Sequence, residues 1–343
     1  MKTLNDLADL LNLANKNIGI SKFKPLTPSL LYYHIYNSSN KTKYKEFKII
    51  KKSGKVRTIH APENDLKVIL KSLNYILNQI YKPHEASTGF VLDKSIVTNA
   101  KKHVGKKFVY NIDLKDFFYS FDLNRVKLAL MNKPFGLNKD KEKLAYGIAK
   151  LTTNLHKIND DDKFLLMQGS PTSPTLTNII CYKLDRRLSG LSKRFDLDYT
   201  RYADDITFSA NHNIFNNKDF KNELERIIKE DNLYKFKDKT IEIGPPLDIQ
   251  TTKTRLLKPG DRKIVTGLVV NEKVNVRRSY IKQIRMWLYY WENYGYERAS
   301  YIFKKDYIIE KGHVKDVKSK IENVLDGKIE FLKMVKGSKN KTY

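Results

Sequence analysis

The chain is nearly devoid of cysteine: Cys181 is the single example in 343 residues. That excludes an intramolecular disulfide and a cysteine-rich zinc site. Long hydrophobic runs are missing too, with no stretch approaching the ~18 apolar residues of a membrane span. The opening segment, Met1 to Ile20, is amphipathic and carries Asp6 and Asp9, which is not the pattern of a signal peptide. Ten prolines and fifteen glycines are spread thinly, and no long linker, internal repeat or low-complexity tract is visible. Acidic residues are scarce relative to basic ones, 38 Asp+Glu against 65 Lys+Arg. These absences point to a reducing, cytoplasmic setting and to no membrane partner.

The charge balance is +27, more than solubility requires, and is the electrostatic footprint of a polyanion partner, with nucleic acid foremost. The length allows a sizeable core in one large domain or two to three subdomains. Within it, Tyr202-Ala203-Asp204-Asp205 places two adjacent carboxylates between Asp198-Tyr199-Thr200-Arg201 and Ile206-Thr207-Phe208-Ser209. Both flanks are β-branched and aromatic, which predicts a strand-turn-strand hairpin. Paired Asp at a hairpin tip repel each other. They are either solvated turn residues or ligands of a divalent cation such as Mg²⁺, whose hard oxygen preference they match.

Further upstream, the apolar run Phe108-Val109-Tyr110-Asn111-Ile112 delivers Asp113 at a strand end, with Asp116 and the aromatics Phe117, Phe118 and Tyr119 close behind. Gln168-Gly169-Ser170-Pro171-Thr172-Ser173-Pro174 forms a turn. Ser173 then serves as an N-cap, and a helix carries Leu176, Ile179, Ile180, Leu184 and Leu188 with Cys181 in its core. Thr3 and Asp6 cap a helix on Leu4, Leu7 and Leu11, and Thr27-Pro28 opens another that contains His34. Strands around Phe47 and Ile59 flank a basic tip, Lys51-Lys52-Ser53-Gly54-Lys55, and a long amphipathic helix spans Leu66 to Ile80. Phe220, Leu224, Ile227 and Ile228 mark another helix. Near the C-terminus Tyr280, Ile284, Trp287, Leu288 and Trp291 alternate with Lys282 and Arg285, and Val317, Ile321 and Val324 define a later helix that Gly327 stops.

Asp113, the Gln-Gly-Ser-Pro turn with its helix, and Tyr-Ala-Asp-Asp, in this order and spacing, resemble the palm of reverse transcriptases. The resemblance implies an α+β, right-hand polymerase fold: N-terminal helices and fingers over 1–104, palm over 105–270, thumb and tail over 271–343, and no RNase H domain. It further implies two Mg²⁺ ions held by Asp113, Asp204 and Asp205 together with the backbone at Leu114, with these Asp residues as the catalytic set. Nucleotide contacts fall to Arg57 in the pattern Lys-x-x-Gly-Lys-x-Arg-x-Ile, to Gln168, to Lys253 in Thr252-Lys253-Thr254, and to Phe118 as a steric gate that favours dNTPs. Residues 87–91 resemble a fingers element. Without the resemblance, Phe117 and Phe118 are equally well read as core.

Asn99-Ala100-Lys101-Lys102-His103 and Val265-Thr266-Gly267 resemble elements of bacterial retron reverse transcriptases. That branch implies a structured noncoding RNA partner, its cDNA, dNTPs, priming from an RNA 2′-hydroxyl, branched RNA-DNA, antiphage defence and an effector protein. Asn99, His103, Thr266 and Gly267 then become RNA-contacting candidates. Against this stand a helix-surface hydrogen-bonding pair for Asn99 and His103, and a strand bend for Thr266-Gly267. Rival functions are a standalone defence reverse transcriptase with another noncoding RNA, an RNA polymerase on the same palm, which Phe118 opposes, and an RNA-binding scaffold without chemistry, which the intact carboxylates oppose.

Overall fold

In the computed structural model the described residues are 3–19, 24–37, 43–50, 54, 56–158, 161–236, 238–311 and 319–337. Thr3 and Asp6 make the reciprocal cap of α1 (Leu4–Asn17), each side chain accepting the other residue's amide. Thr27 caps α2 (Pro28–Tyr32), which widens into a π-turn over Tyr33–Asn37 and buries His34. β1 (Tyr44–Ile50) and β2 (Val56–Pro62) pair antiparallel as a two-stranded sheet. Of the basic tip between them, Lys51, Lys52, Ser53 and Lys55 lie outside the described residues. α3 (Asn64–Ile80) turns Leu66, Ile69, Leu70, Leu73, Ile76 and Leu77 into the core, at the spacing its sequence predicts.

Short α4 (Ile96–Lys101) precedes β3 (Phe108–Asp113). Next come α5 (Leu123–Met131), α6 (Glu142–Thr152) and the hairpin of β4 (Thr153–Ile158) with β5 (Asp161–Leu166). α7 (Ser173–Ile180) and α8 (Tyr182–Arg194) lead to β6 (Asp198–Tyr202), β7 (Asp205–Ala210) and α9 (Lys218–Lys229). Small pairs follow: β8 (Leu233–Phe236) with β9 (Lys239–Glu242), then β10 (Arg255–Leu257), then β11 (Ile264–Val265) with β12 (Leu268–Val269). α10 (Arg278–Lys311), which is two helical stretches joined at a kink where Gly295 takes φ 77°, and α11 (Ile321–Lys336) complete the described chain.

The central sheet runs β10-β3-β7-β6, all antiparallel, with Asp113 opposite Asp205 at its end. Strand alternation divides its faces. Tyr110, Ile112, Ile206, Phe208 and Tyr199 face a large core shared with the helices, whereas Val109, Asn111, Thr207, Ser209 and Thr200 occupy the opposite face. That second face begins another core, in which Val97, Ala100 and Val109 pack with Val265, Leu268, Val270, Trp287, Phe303 and Leu325. The described chain is thus a mixed helix and strand fold, with a two-stranded hairpin, a central antiparallel sheet and C-terminal helices following in that order.

Three local expectations are corrected. Ser173 is the first helical residue rather than the cap: its hydroxyl donates to the Met167 carbonyl at 2.8 Å, and Thr172 takes the cap position. The helix expected to run through Leu188 breaks at Cys181, which is buried between α7 and α8. Gly327 does not stop α11, which continues to Lys336 and ends at Gly337 with φ 85°. Packing of Leu325 and Leu332 on one stripe outweighs the helix penalty of a single glycine, about 1 kcal/mol. Val317, counted toward that helix from sequence, lies outside the described residues.

Candidate active site

Ala203 and Asp204 form a two-residue turn between β6 and β7, closed by the Tyr202–Asp205 pairing, so that Asp204 sits in the turn and Asp205 opens β7. Ala203 takes the left-handed region at φ 56° to make it. Strand register then brings Asp113 directly across from Asp205, and the Leu114 amide donates to the Asp204 carbonyl at 3.0 Å. Asp113 is fixed from the other side, because the Gln250 amide donates to its carbonyl at 2.8 Å. Leu114 itself is buried apolar core, so any part it takes in metal binding runs through its backbone.

A partner absent from the sequence reading lies beneath this turn. Asp185 and Arg201 are both fully buried. Asp185 accepts from Arg201 Nη2 at 2.6 Å, from Arg201 Nε at 2.7 Å and from Tyr199 Oη at 2.7 Å. Arg201 Nη1 in turn donates to the Ala203 carbonyl at 3.1 Å, so the ion pair buttresses the turn. The signal was present: Asp185 lies three residues before Leu188 and seven before Ser192, on the buried stripe of α8. Gly89 is the second unforeseen support. A Cβ there would meet the Ala203 nitrogen at 2.7 Å, so only glycine lets this segment lie against the turn. The Thr88 amide donates to the Arg201 carbonyl alongside it, at 2.8 Å.

The carboxylates repel one another. Burial, then Asp113, raise the Asp204 pKa, while Lys253 and Arg57 pull it down. Burial, then Asp204 and Asp113, push Asp205 up to about 7. A divalent cation would remove this cost, and a set of carboxylate oxygens suits a hard cation. Among the described residues no three acidic, histidine or cysteine side chains are already drawn together at ligating geometry. Instead Lys253 Nζ donates to Asp113 Oδ1 at 2.7 Å and compensates the acidic cluster. The donor set fits Mg²⁺ once that lysine yields its place.

Asp113, Asp204 and Lys253 open onto a cleft of about 350 Å³ that Arg57, Phe118 and Gln168 also line. Both Phe117 and Phe118 line the cleft, and only burial separates the two residues the sequence left equivalent: Phe117 is buried and Phe118 half-buried. Phe90, Lys115 and Gln250 join the lining without having been singled out.

The other four candidates lie elsewhere, and two require correction. His103 is fully buried, with Nδ1 2.7 Å from Ser209 Oγ and Nε2 2.7 Å from Thr200 Oγ1. Burial pushes its pKa down to about 3. Asn99 is equally buried, and its Oδ1 accepts from Thr88 Oγ1 at 2.7 Å. Neither side chain is available to RNA, nor are they the surface pair of the alternative reading: His103, just past α4, bonds to the polar face of the sheet, and Asn99 on α4 bonds to Thr88. Asn99 Nδ2 also reaches Thr266 Oγ1 at 3.5 Å, which joins the two elements that looked separate in sequence. Thr266 and Gly267, both at positive φ (46° and 85°), form the tight turn between β11 and β12, and Gly267 is exposed.

A family model described as reverse transcriptase (RNA-dependent DNA polymerase) matches residues 49–244. The retron Mx65 reverse transcriptase of Myxococcus xanthus is 32% identical over 271 residues, 76% of this chain and 59% of that protein. The retron Mx162 reverse transcriptase of the same organism is 35% identical over 265 residues, 71% of this chain and 52% of that protein. The retron Ec86 reverse transcriptase of Escherichia coli is 34% identical over 249 residues, 71% of this chain and 68% of that protein. The chain thus spans between half and three-fifths of the length of the two Myxococcus relatives. A solved foamy viral protease-reverse transcriptase with double-stranded DNA aligns over 90% of this chain and 47% of its own, at 14% identity and a TM-score of 0.39.

Proposed function

This chain belongs to the reverse transcriptase family, in its bacterial retron branch, and from that premise we propose that it is an RNA-directed DNA polymerase copying part of a structured noncoding RNA. The observation that carries the reading is the convergence of Asp113 and Asp204 with Arg57, Phe118 and Lys253 in one cleft, with Asp205 paired directly across from Asp113. We further propose that the primer is an RNA 2′-hydroxyl, the product a branched RNA-DNA, and the setting antiphage defence with an effector protein.

Two Mg²⁺ ions, held by Asp113 and Asp204 with Asp205 and the Leu114 backbone in support, would acidify the primer hydroxyl and neutralise the triphosphate. The residues of the chain divide the rest. Arg57 balances the nucleotide phosphates in this reading, which its presence in the cleft and its pull on the Asp204 pKa support. Lys253, once released from Asp113, places its ammonium toward the departing phosphate as an electrostatic or proton-donating group. Gln168, at the cleft wall, contacts the nucleotide. Phe118, on the cleft wall, takes the sugar side in this reading, where its ring would exclude a 2′-hydroxyl, so dNTPs are preferred. The Thr266-Gly267 turn remains the candidate RNA contact of the retron elements, since its backbone is accessible. An excess of basic charge supports recognition of the RNA through phosphates and shape.

The test is to purify the protein with its co-expressed nucleic acid and sequence both strands, with debranchase treatment. A debranchase-sensitive RNA-DNA species is expected. Unbranched cDNA would overturn the priming mode, and the absence of cDNA together with failure to extend a primed RNA template would overturn the polymerase reading.

A further inference from the structure

Behind Phe118, three separate elements converge on one imidazole. His60 of β2 is 1% exposed. Its Nε2 lies 3.1 Å from Glu46 Oε1 on β1, and its Nδ1 lies 3.4 Å from Tyr119 Oη. Tyr119 belongs to the 3-10 turn Phe117–Ser120 and immediately follows Phe118. The Tyr119 ring stacks on His156 of β4, with centroids 4.6 Å apart and planes 8° from parallel. His60 stands edge-on to both rings, at 6.2 Å from Tyr119 and 5.7 Å from His156.

Protonation follows from the chemistry of the partners. Burial lowers the His60 pKa against the pull of Glu46, which favours the neutral ring with one N–H at neutral pH. A carboxylate only accepts, so that N–H is Nε2–H toward Glu46, and Nδ1 accepts from the Tyr119 hydroxyl. Burial pushes the Tyr119 phenol up to about 12, which keeps its proton in place.

The β1–β2 hairpin is a two-stranded sheet, and such a hairpin is marginal without anchoring. It has a backbone anchor as well: the His60 amide donates to the Gln168 carbonyl at 2.8 Å. A Cβ on Gly169, at φ +112°, would come within 2.7 Å of the His60 carbonyl oxygen, so this approach requires glycine. Arg57 lies three residues before His60 on the same strand. The cluster thus connects the strand bearing Arg57, the turn bearing Phe118 and the β4–β5 hairpin.

We propose that His60, Tyr119 and His156 form a positioning cluster that holds the Arg57 strand and the Phe118 turn at a fixed separation across the cleft, and so sets nucleotide affinity and sugar selection. His60 and His156 act through their neighbours. The proposal rests on the polymerase reading above for its kinetic consequence, and on the structure alone for the coupling of the two segments.

Two measurements on the full-length protein test it. In hydrogen exchange without nucleotide, Tyr119→Phe, which removes only the hydroxyl, and His156→Ala, which removes the stack, should each raise exchange in 56–62 and 117–120 together. In primed synthesis, His156→Ala should raise KM for dNTP by about fivefold, as for the loss of one modest interaction, with kcat within about twofold. It should also narrow the dNTP-to-NTP preference, and His156→Phe, which keeps a flat ring, should restore both. Exchange that rises in one segment alone, in neither, or evenly across the protein overturns the proposal. So does an unchanged KM and sugar preference in folded His156→Ala. A wild-type protein that makes no DNA would sink the polymerase reading instead, and the exchange measurement would still decide the coupling.

Discussion

Replacing Asp185 by Ala tests the support of the aspartate turn most directly. The substitution removes three hydrogen bonds, two from Arg201 and one from Tyr199, and leaves a guanidinium with no exposed surface and no counter-ion. Breaking a buried pair from one side costs about 3–5 kcal/mol, because the surviving charge stays desolvated. At roughly 2 °C per kcal/mol for a chain of this size, the melting midpoint should fall by about 6–10 °C. Calorimetry or dye-monitored melting reads that shift. Arg201 also holds the Ala203 carbonyl, so synthesis should drop further than the folded fraction does when assayed well below the midpoint. The companion is Asp185→Leu with Arg201→Met, which removes both charges and should recover most of the loss, short of the Tyr199 hydroxyl left without its acceptor at about 1–3 kcal/mol. A single-variant cost under about 1 kcal/mol, or a double variant no more stable than the single, would refute the reasoning.

Asp204→Asn should lower synthesis by on the order of 10³ or more while RNA binding in a filter assay changes little, since phosphate contacts dominate such binding; loss of both would contradict the division of roles. Phe118→Ala should relax dNTP-over-NTP preference by roughly 10- to 100-fold in single-nucleotide incorporation, and an unchanged ratio would return Phe118 to a wall without selectivity. Gly89→Ala should reduce kcat/KM by about 100-fold through displacement of the Asp204 turn, with wild-type rates arguing that the turn is not held from that side. His103 titrates at about 3 when folded, below its ordinary 6.5, so the unfolded chain binds the extra proton. Stability should therefore be full above about pH 6.5 and decline by up to about 1.4 kcal/mol per pH unit as pH falls toward 3. His103→Gln should flatten that part of a denaturation series, and an identical slope would mean that His103 charges freely in the fold.

The meeting of the three aspartates was legible because its information is local. A strand pattern ends in Asp113, a hairpin pattern ends in Asp204 and Asp205, and antiparallel pairing alone makes the strand ends meet. Arg57 and Phe118 were singled out through resemblance, and the structure adds that both line the same cleft, with Phe117 the more deeply buried of the two aromatics there. What escaped were long-range polar pairings. Arg201 reads as an ordinary charged strand residue until Asp185, sixteen positions earlier, is placed beneath it. His103 reads as a surface RNA-contacting group because polar residues seldom line a core, yet Thr200 and Ser209 give this sheet a polar buried face. No periodicity announces that the second face of a sheet is hydroxyl-rich and covered, because such a strand looks like one that faces water.

Val109 and Ile112 belong to different cores, although they are three residues apart on β3. The strand that ends in Asp113 is therefore a shared wall, plastered on one side by the large core and on the other by the core of α10 and α11. A chimera that exchanged residues 271–343 for those of a relative would import a roof shaped for another wall. Val97, Ala100, Val109, Val265, Leu268 and Val270 would have to travel with it, and the misfit would be transmitted first to the carboxylate at the end of that strand.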